Sequence, residues 1–218
     1  DLTRSRGLGD VYKRQLNNGE DIHTFTAKNI FNVDNDDMVL PEMRRIAKIV
    51  NFGIMYGAGP FRLSQELDIP FGEAKQIKDA YFQKYQGIEQ YIENSKLQIK
   101  ETKSVETLLG RKRAVWDSDS QNKIRRDAAE RMAINMPIQG TAAEMIKLAM
   151  IKIHRQMNKE NLKSKLIMQI HDELLLEVHQ DEIDYISKMV IEHMRDAMKL
   201  DVPIEIDFGV GPSWYEAH

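Results

Sequence analysis

Arg44-Arg45-Ile46-Ala47-Lys48-Ile49-Val50-Asn51-Phe52-Gly53-Ile54-Met55-Tyr56-Gly57 is the stretch on which the reading of this chain turns. Pro41 stands just before it, where a missing N–H costs a helix nothing, and Gly57, Gly59 and Pro60 follow as stop signals, so a helix is predicted from Pro41 to Tyr56. At about 100° per residue, Met43, Ile46, Ala47, Val50 and Ile54 share one arc and form the core face. Arg44, Lys48, Phe52 and Tyr56, spaced four apart, lie on the other side. Two cations followed by two rings on a polar face suit a site that holds phosphates and stacks on planar groups. The same spacing also suits two rings packed under a second helix layer with the cations in solvent.

Working outward, Asp21 to Ile30 has a helical period with an acidic start, and Asn32 to Asp37 reads as a loop. Residues 1–15 show no period and read as a leader foreign to the rest. Downstream, helix is predicted from Pro70 to Lys103 with a break near Gly87, and Thr107 to Asp117 reads as a hairpin or loop carrying Arg111, Lys112 and Arg113. Asn122 to Asn135 reads as a helix ended by Pro137, and Thr141 to Asn158 as a further one. Leu166 to Ile170 and Leu174 to Val178 are β-type runs joined by His171-Asp172-Glu173, short enough for a hairpin turn. An amphipathic helix follows over Asp181 to Lys199, and Ile204 to Phe208 alternates as a half-buried strand. The fold class is α+β: a mostly helical front, then part of an antiparallel sheet with packing helices.

The 218 residues allow one large domain or two small ones at roughly 100 to 200 residues each. No apolar run reaches the roughly 18 to 20 residues needed to span a bilayer, so no membrane is expected. With no cysteine, thiolate metal sites and disulfides are excluded and the composition suits the cytoplasm. Lys plus Arg number 31 against 34 Asp plus Glu, a net charge of −3, so whole-molecule charge argues for no polyanionic partner; only local clusters do.

The 44–57 stretch resembles motif B, the O helix of the fingers, of the family A DNA polymerases. Three further blocks agree in order: Gly19-Glu20-Asp21-Ile22-His23-Thr24, then Arg131-Met132-Ala133-Ile134-Asn135-Met136-Pro137-Ile138-Gln139-Gly140-Thr141-Ala142, then Gln169-Ile170-His171-Asp172-Glu173, which resembles motif C. Gly209-Val210-Gly211-Pro212-Ser213-Trp214 resembles that family's C-terminal ending. The resemblance covers about residues 16–218. It implies fingers over 16–123, with the O-helix-like segment 41–57, and the C-terminal half of a palm over 124–218, with the motif C-like hairpin 165–178. It assigns His23, Arg44 and Lys48 to the triphosphate of a deoxynucleoside triphosphate, with Lys48 also a proton donor to the leaving pyrophosphate. Phe52 is set against the sugar and base, and Tyr56 at the template side. Asp172 becomes a Mg²⁺ ligand with Glu173 as an auxiliary carboxylate and His171 near the primer end. Arg131, Asn135 and Gln139 contact the primer-template, and Arg111, Lys112, Arg113, Arg125 and Arg126 are candidates for backbone phosphates. Read from residues alone, Asp172 is equally a turn aspartate, and each arginine equally part of a solvated face.

Two-metal phosphoryl transfer needs a second carboxylate near the first. The family takes it from motif A, upstream of the Gly-Glu-Asp-Ile-His block, and counting back from Asp21 lands before residue 1. The expectation is therefore a template-directed DNA polymerase of replication and repair, present as a monomeric part of a longer chain and inactive when isolated. Two rivals stand beside it: a metal-dependent phosphohydrolase using His171, Asp172 and Glu173, and a non-catalytic DNA-binding remnant.

Overall fold

The computed structural model describes residues 17, 19 and 21–217; the leader at 1–15, Glu20 and His218 lie outside them. The chain forms two compact units that divide after Ile138.

In the first unit, α1 (Ile22–Phe31) is capped by the Asp21 carboxylate, which accepts from the His23 N–H at 3.0 Å. A short 3₁₀ turn at Asp36–Met38 interrupts the acidic loop. Helix α2 (Pro41–Met55) starts at Pro41 as expected and ends with Tyr56 as its cap. Gly57 follows at φ 77°, and a Cβ there would stand 3.1 Å from Ile134 Cδ1. Glycine is required both for the left-handed backbone and for the close approach.

Pro60 does not stop structure at this point. It occupies the first position of α3 (Pro60–Leu67), a helix the sequence reading missed, with Gly59 as its N-cap residue. The fixed φ that bars proline from a helix interior also suits it to a helix start, and Gly59-Pro60 serves in that second sense. The helix predicted over 70–103 with a break near Gly87 is α4 (Phe71–Lys84) and α5 (Gln86–Thr102), with the break at Tyr85. Val50, Ile54, Ala58, Leu63, Ala74, Tyr81, Tyr85, Ile92 and Ile134 form the main core of this unit. A second cluster of Ile99, Val105, Val115, Ala129 and Ala133 seats an antiparallel hairpin, β1 (Ser104–Glu106) and β2 (Lys112–Ala114), in register Val105 to Arg113. Only Val105 is buried in this hairpin, and β2 is exposed along its length.

Helix α6 (Lys123–Lys159) runs through Pro137, where the sequence reading ended one helix and began another. An interior proline costs a helix about 3 kcal/mol. Packing meets that cost from both flanks: Ala129, Ala133 and Ile134 are buried in the first unit, and Ala149, Ile153 and Met157 in the second. Tertiary burial, not local propensity, decides the continuity.

In the second unit Asn161, at φ 53°, turns the chain out of α6. The Glu182 carboxylate then accepts from the Lys163 and Ser164 N–H groups, each at 3.0 Å, and pins the start of the next strand. Strands β3 (Lys165–Ile170) and β4 (Glu173–Glu177) pair antiparallel with an irregularity between Leu166 and Met168. Helix α7 (Ile183–Arg195) is shorter than the predicted 181–199, being preceded by a 3₁₀ turn at Gln180–Glu182. Ile186 and Met189 of α7 pack on Ala149, Ile153 and Met157, with Leu174, Leu176 and Val178 beside them. A short helix α8 (Trp214–Ala217) closes the described chain.

The predicted strand Ile204 to Phe208 is not a strand. Val202, Ile204 and Ile206 alternate as half-buried positions, but no strand among the described residues pairs with them. The apolar alternation survives without the ladder that defines a strand, because the backbone bonds need a neighbour that alternation alone does not supply.

Candidate functional site

The polar face of α2 carries the first group of candidate residues. Its apolar arc buries Ala47, Val50 and Ile54, which turns Arg44, Lys48, Phe52 and Tyr56 outward. Phe52 and Tyr56 are 43% and 39% exposed, and their rings lie 6.2 Å apart at 11°, stacked on each other. The His23 ring, brought over from the first turn of α1, stands 5.5 Å from Phe52. Lys48, Phe52, Gly53 and Tyr56 border a groove of about 390 Å³ that continues to Arg62 and Glu66 on α3.

The electrostatics of this face rest on Asp21. Its carboxylate accepts from the Thr24 hydroxyl at 2.7 Å and from Arg44 Nε at 2.6 Å, in addition to its capping bond. Partial burial works against ionisation, but the Arg44, Thr24 and His23 hydrogen bonds outweigh it and hold the Asp21 pKa at about 2. Arg44 is thus anchored through Nε, and the two terminal nitrogens of its fork remain to meet an anion. Partial burial lowers the His23 pKa, and Arg44 and Lys48 add to this against the attraction of Asp21. The face therefore combines an anchored guanidinium, an exposed ammonium, an imidazole kept toward its neutral form and two stacked rings. Chemically it is fitted to a ligand that is anionic at one end and planar at the other.

Asn51, Thr26 and Tyr85 escaped the sequence reading. Asn51 Nδ2 donates to His23 Nδ1 at 3.0 Å, the Thr26 hydroxyl donates to Asn51 Oδ1 at 3.1 Å, and Tyr85 Oη lies 3.0 Å from Thr26 Oγ1. Thr26 and Asn51 are 1% and 3% exposed. The one signal available was an asparagine set between Val50 and Ile54 at the edge of the apolar arc, where a polar side chain requires partners.

The second group sits in the other compact unit. His171 and Asp172 form the turn between β3 and β4, with Ile170 paired to Glu173. His171 takes φ 52°, a conformation histidine tolerates better than most residues. Glu173, read as part of the link, is the first residue of β4. All three side chains are exposed. Among the described residues no group of three or more His, Asp or Glu side chains converges as a metal site. Two adjacent carboxylates nonetheless match a hard divalent cation such as Mg²⁺, which commonly takes one or two carboxylates plus ligand phosphates.

The basic candidates divide. Lys112 and Arg113 lie on exposed β2, and Arg111, Arg125 and Arg131 are exposed. Arg126 is partly buried and donates from Nη1 to the Ser120 carbonyl at 2.9 Å, bracing the turn into α6. Arg131 borders Gly57 at the end of α2. Asn135 is half-buried with its Oδ1 turned inward and without a hydrogen-bond partner among the described residues, and Gln139, in the second unit, is exposed. Among the described residues no helix is long and apolar enough to cross a membrane.

Known proteins resemble this chain. The family model described as DNA polymerase family A matches residues 6–216. DNA polymerase I of Bacillus caldotenax is 43% identical over 216 residues, 99% of this chain and 24% of that protein. The thermostable DNA polymerase I of Thermus filiformis is 45% identical over 205 residues, 94% of this chain and 24% of that protein. Among solved structures, the POL domain of Pol1 from M. smegmatis in complex with DNA primer-template and dNTP matches with a TM-score of 0.90 at 40% identity, covering 94% of this chain and 36% of that one. The chain spans about a quarter of the length of the curated relatives it matches.

Proposed function

This chain belongs to DNA polymerase family A, and from that premise we propose that it supplies the fingers (16–123) and the C-terminal half of the palm (124–218) to a template-directed DNA polymerase, a monomeric cytoplasmic enzyme of replication and repair. The observation that carries the reading is the α2 face, where Arg44, Lys48, the stacked pair Phe52 and Tyr56, and His23 share one surface.

In this reading the Arg44 fork grips non-bridging phosphate oxygens and Lys48 adds a mobile point charge, so both offset negative charge as pyrophosphate departs. Lys48 also holds a proton within reach of that leaving group. Phe52 sets an apolar ring against the sugar, and Tyr56 bounds the insertion site on the template side. Asp172 with Glu173 would hold Mg²⁺, which when bound supplies charge stabilisation at the reacting phosphate, with His171 beside the primer end. Arg131, Asn135 and Gln139 meet the minor groove of the primer-template, whose acceptors occupy similar places in every correct pair. Arg111, Lys112, Arg113 and Arg125 meet backbone phosphates. Arg126 joins them only with the nitrogens not spent on Ser120. A phosphohydrolase centred on His171, Asp172 and Glu173 leaves the α2 face without a purpose, and a DNA-binding remnant leaves its triphosphate chemistry without one.

Calorimetric titration of the chain with a deoxynucleoside triphosphate, and with the matching nucleoside, tests the reading. Binding that requires the phosphates and disappears in Arg44→Ala supports it. Equal affinity for nucleoside and triphosphate refutes it.

A further inference from the structure

The buried hydroxyl and amide chain behind α2 has no part in the groups assigned above, yet it ends on one of them. It runs from Tyr85 Oη to Thr26 Oγ1, from Thr26 Oγ1 to Asn51 Oδ1, and from Asn51 Nδ2 to His23 Nδ1, with separations of 3.0, 3.1 and 3.0 Å. An amide nitrogen can only donate. A ring nitrogen facing it must therefore be bare, and the proton of a neutral imidazole must sit on the other nitrogen. Thr26 has one hydroxyl proton, and giving it to Asn51 Oδ1 leaves its oxygen to accept from Tyr85. Every donor then points the same way, toward the ring.

We infer that Asn51 is a positioning residue that holds His23 as the neutral tautomer with Nδ1 bare and the proton on Nε2, so that the ring offers an uncharged N–H donor to the triphosphate. The second half of this inference rests on the polymerase reading; the tautomer does not. Three features support it. Asn51 is 3% exposed and Thr26 1%, so water cannot substitute for either partner. The charged groups around the ring are Asp21, Arg44 and Lys48, and together with burial they leave its pKa below the ordinary value, so Nδ1 is free to accept. Arg44 and Lys48 already supply the positive charge. A neutral donor adds a directed bond without a third cation in the same small space, and a bare nitrogen turned to the phosphates would repel them.

Turning the Asn51 amide over would reverse each bond and place the proton on Nδ1, which makes the inference directly measurable. Long-range ¹H–¹⁵N spectra of the full chain, labelled at histidine and assigned with His23→Gln, report which ring nitrogen is protonated. The expected result is an excess of at least about tenfold for the Nε2–H tautomer, since with the amide held by Thr26 as described an Nδ1–H would face the Asn51 N–H donor and leave both buried groups unsatisfied. Asn51→Asp keeps the shape and the Thr26 bond but places an acceptor at Nδ1, and should move the proton there. Thr26→Val releases the amide and should give a mixture of tautomers. A wild-type spectrum showing Nδ1–H or an even mixture, or an unchanged His23 signal in Asn51→Asp, overturns the inference whether or not the variants are easily made. A deoxynucleoside triphosphate added to the wild-type sample should shift the Nε2 signal. The right tautomer with Nε2 undisturbed overturns the triphosphate half and counts against the polymerase reading, while the wrong tautomer removes the role of Asn51 whatever the nucleotide does.

Discussion

Replacing Asp21 with alanine severs three bonds at once: the cap to the His23 N–H, the Thr24 hydroxyl bond and the ion pair to Arg44. Loss of an N-cap costs about 1 kcal/mol. The ion pair is worth less than its 2.6 Å separation suggests, because the side chains are 38% and 49% exposed and solvent screens them, so about 0.5 to 1 kcal/mol is expected. Asp21→Ala should therefore lower stability by about 1.5 to 2 kcal/mol at pH 7. Asp21→Asn, which retains a capping oxygen, should lose about 0.5 to 1 kcal/mol. The pH dependence separates the terms. The Asp21 pKa lies at about 2 in the fold against an ordinary 3.8. A depressed carboxylate pKa contributes stability that is fully present above the unfolded value and is lost as pH falls through the folded one, here between about pH 5 and pH 2. For a fully buried group that gap would amount to about 2.5 kcal/mol at about 1.4 kcal/mol per pH unit, and exposure reduces it to about 1 kcal/mol. Urea denaturation of the wild type and Asp21→Asn at pH 7, 4 and 2.5 measures it, and the difference between the two proteins should shrink toward zero at the lowest pH. A difference that stays constant across the range would mean that the Arg44 pair contributes nothing through charge.

Other expectations concern a polymerase of the relatives' full length carrying this chain. There, Arg44→Ala or Lys48→Ala should raise the KM for deoxynucleotide, lower kcat or both, while duplex affinity in a filter-binding assay hardly changes; a variant that mainly loses duplex would displace these cations from the triphosphate. Asp172→Ala should abolish primer extension with duplex affinity equal or higher, since a negative charge beside phosphates is removed, and near-normal turnover would return Asp172 to a turn residue. Phe52→Tyr adds a hydroxyl beside the sugar that can replace a bond a dideoxynucleotide lacks, and at about 1.5 to 3 kcal/mol its selectivity against dideoxynucleotides should fall by about tenfold to a hundredfold in the ratio of kcat/KM values. Gly57→Ala forces an alanine to φ 77° with its Cβ 3.1 Å from Ile134 Cδ1 and should lower stability by about 1 to 2 kcal/mol, read as a fall in Tm; an unchanged Tm would show that the turn relaxes freely.

The parts of this molecule legible in its sequence are those set by periodicity and local punctuation. The two-faced α2, the acidic start of α1 at Asp21 and the hairpin turn at His171 and Asp172 each follow from residues within a few positions of one another. The failures share a cause. Pro60 and Pro137 are the same residue type with opposite outcomes from a stop signal: one opens a helix and the other sits inside one, and what distinguishes them is a preceding glycine cap in the first case and distant burial on both flanks in the second. Ile204 to Phe208 shows the converse, a correct alternation with no pairing strand among the described residues. The site divides along the same line. Residues that face solvent, such as Arg44, Lys48 and Phe52, stand out because a polar helical face is a local pattern. The residues that orient them do not. Asp21 reaches Arg44 across 23 positions, Asn51 reaches His23 across 28, and Tyr85 reaches Thr26 across 59. A buried polar residue announces that it needs partners, but which partners it finds depends on how α1, α2 and the end of α4 come together, and no spacing along one helix encodes that. The direction of proton donation at His23 is thus a property of the packed core rather than of the exposed face, and a substitution at the buried Thr26, two hydrogen bonds behind the ring, can alter what that face offers to a ligand.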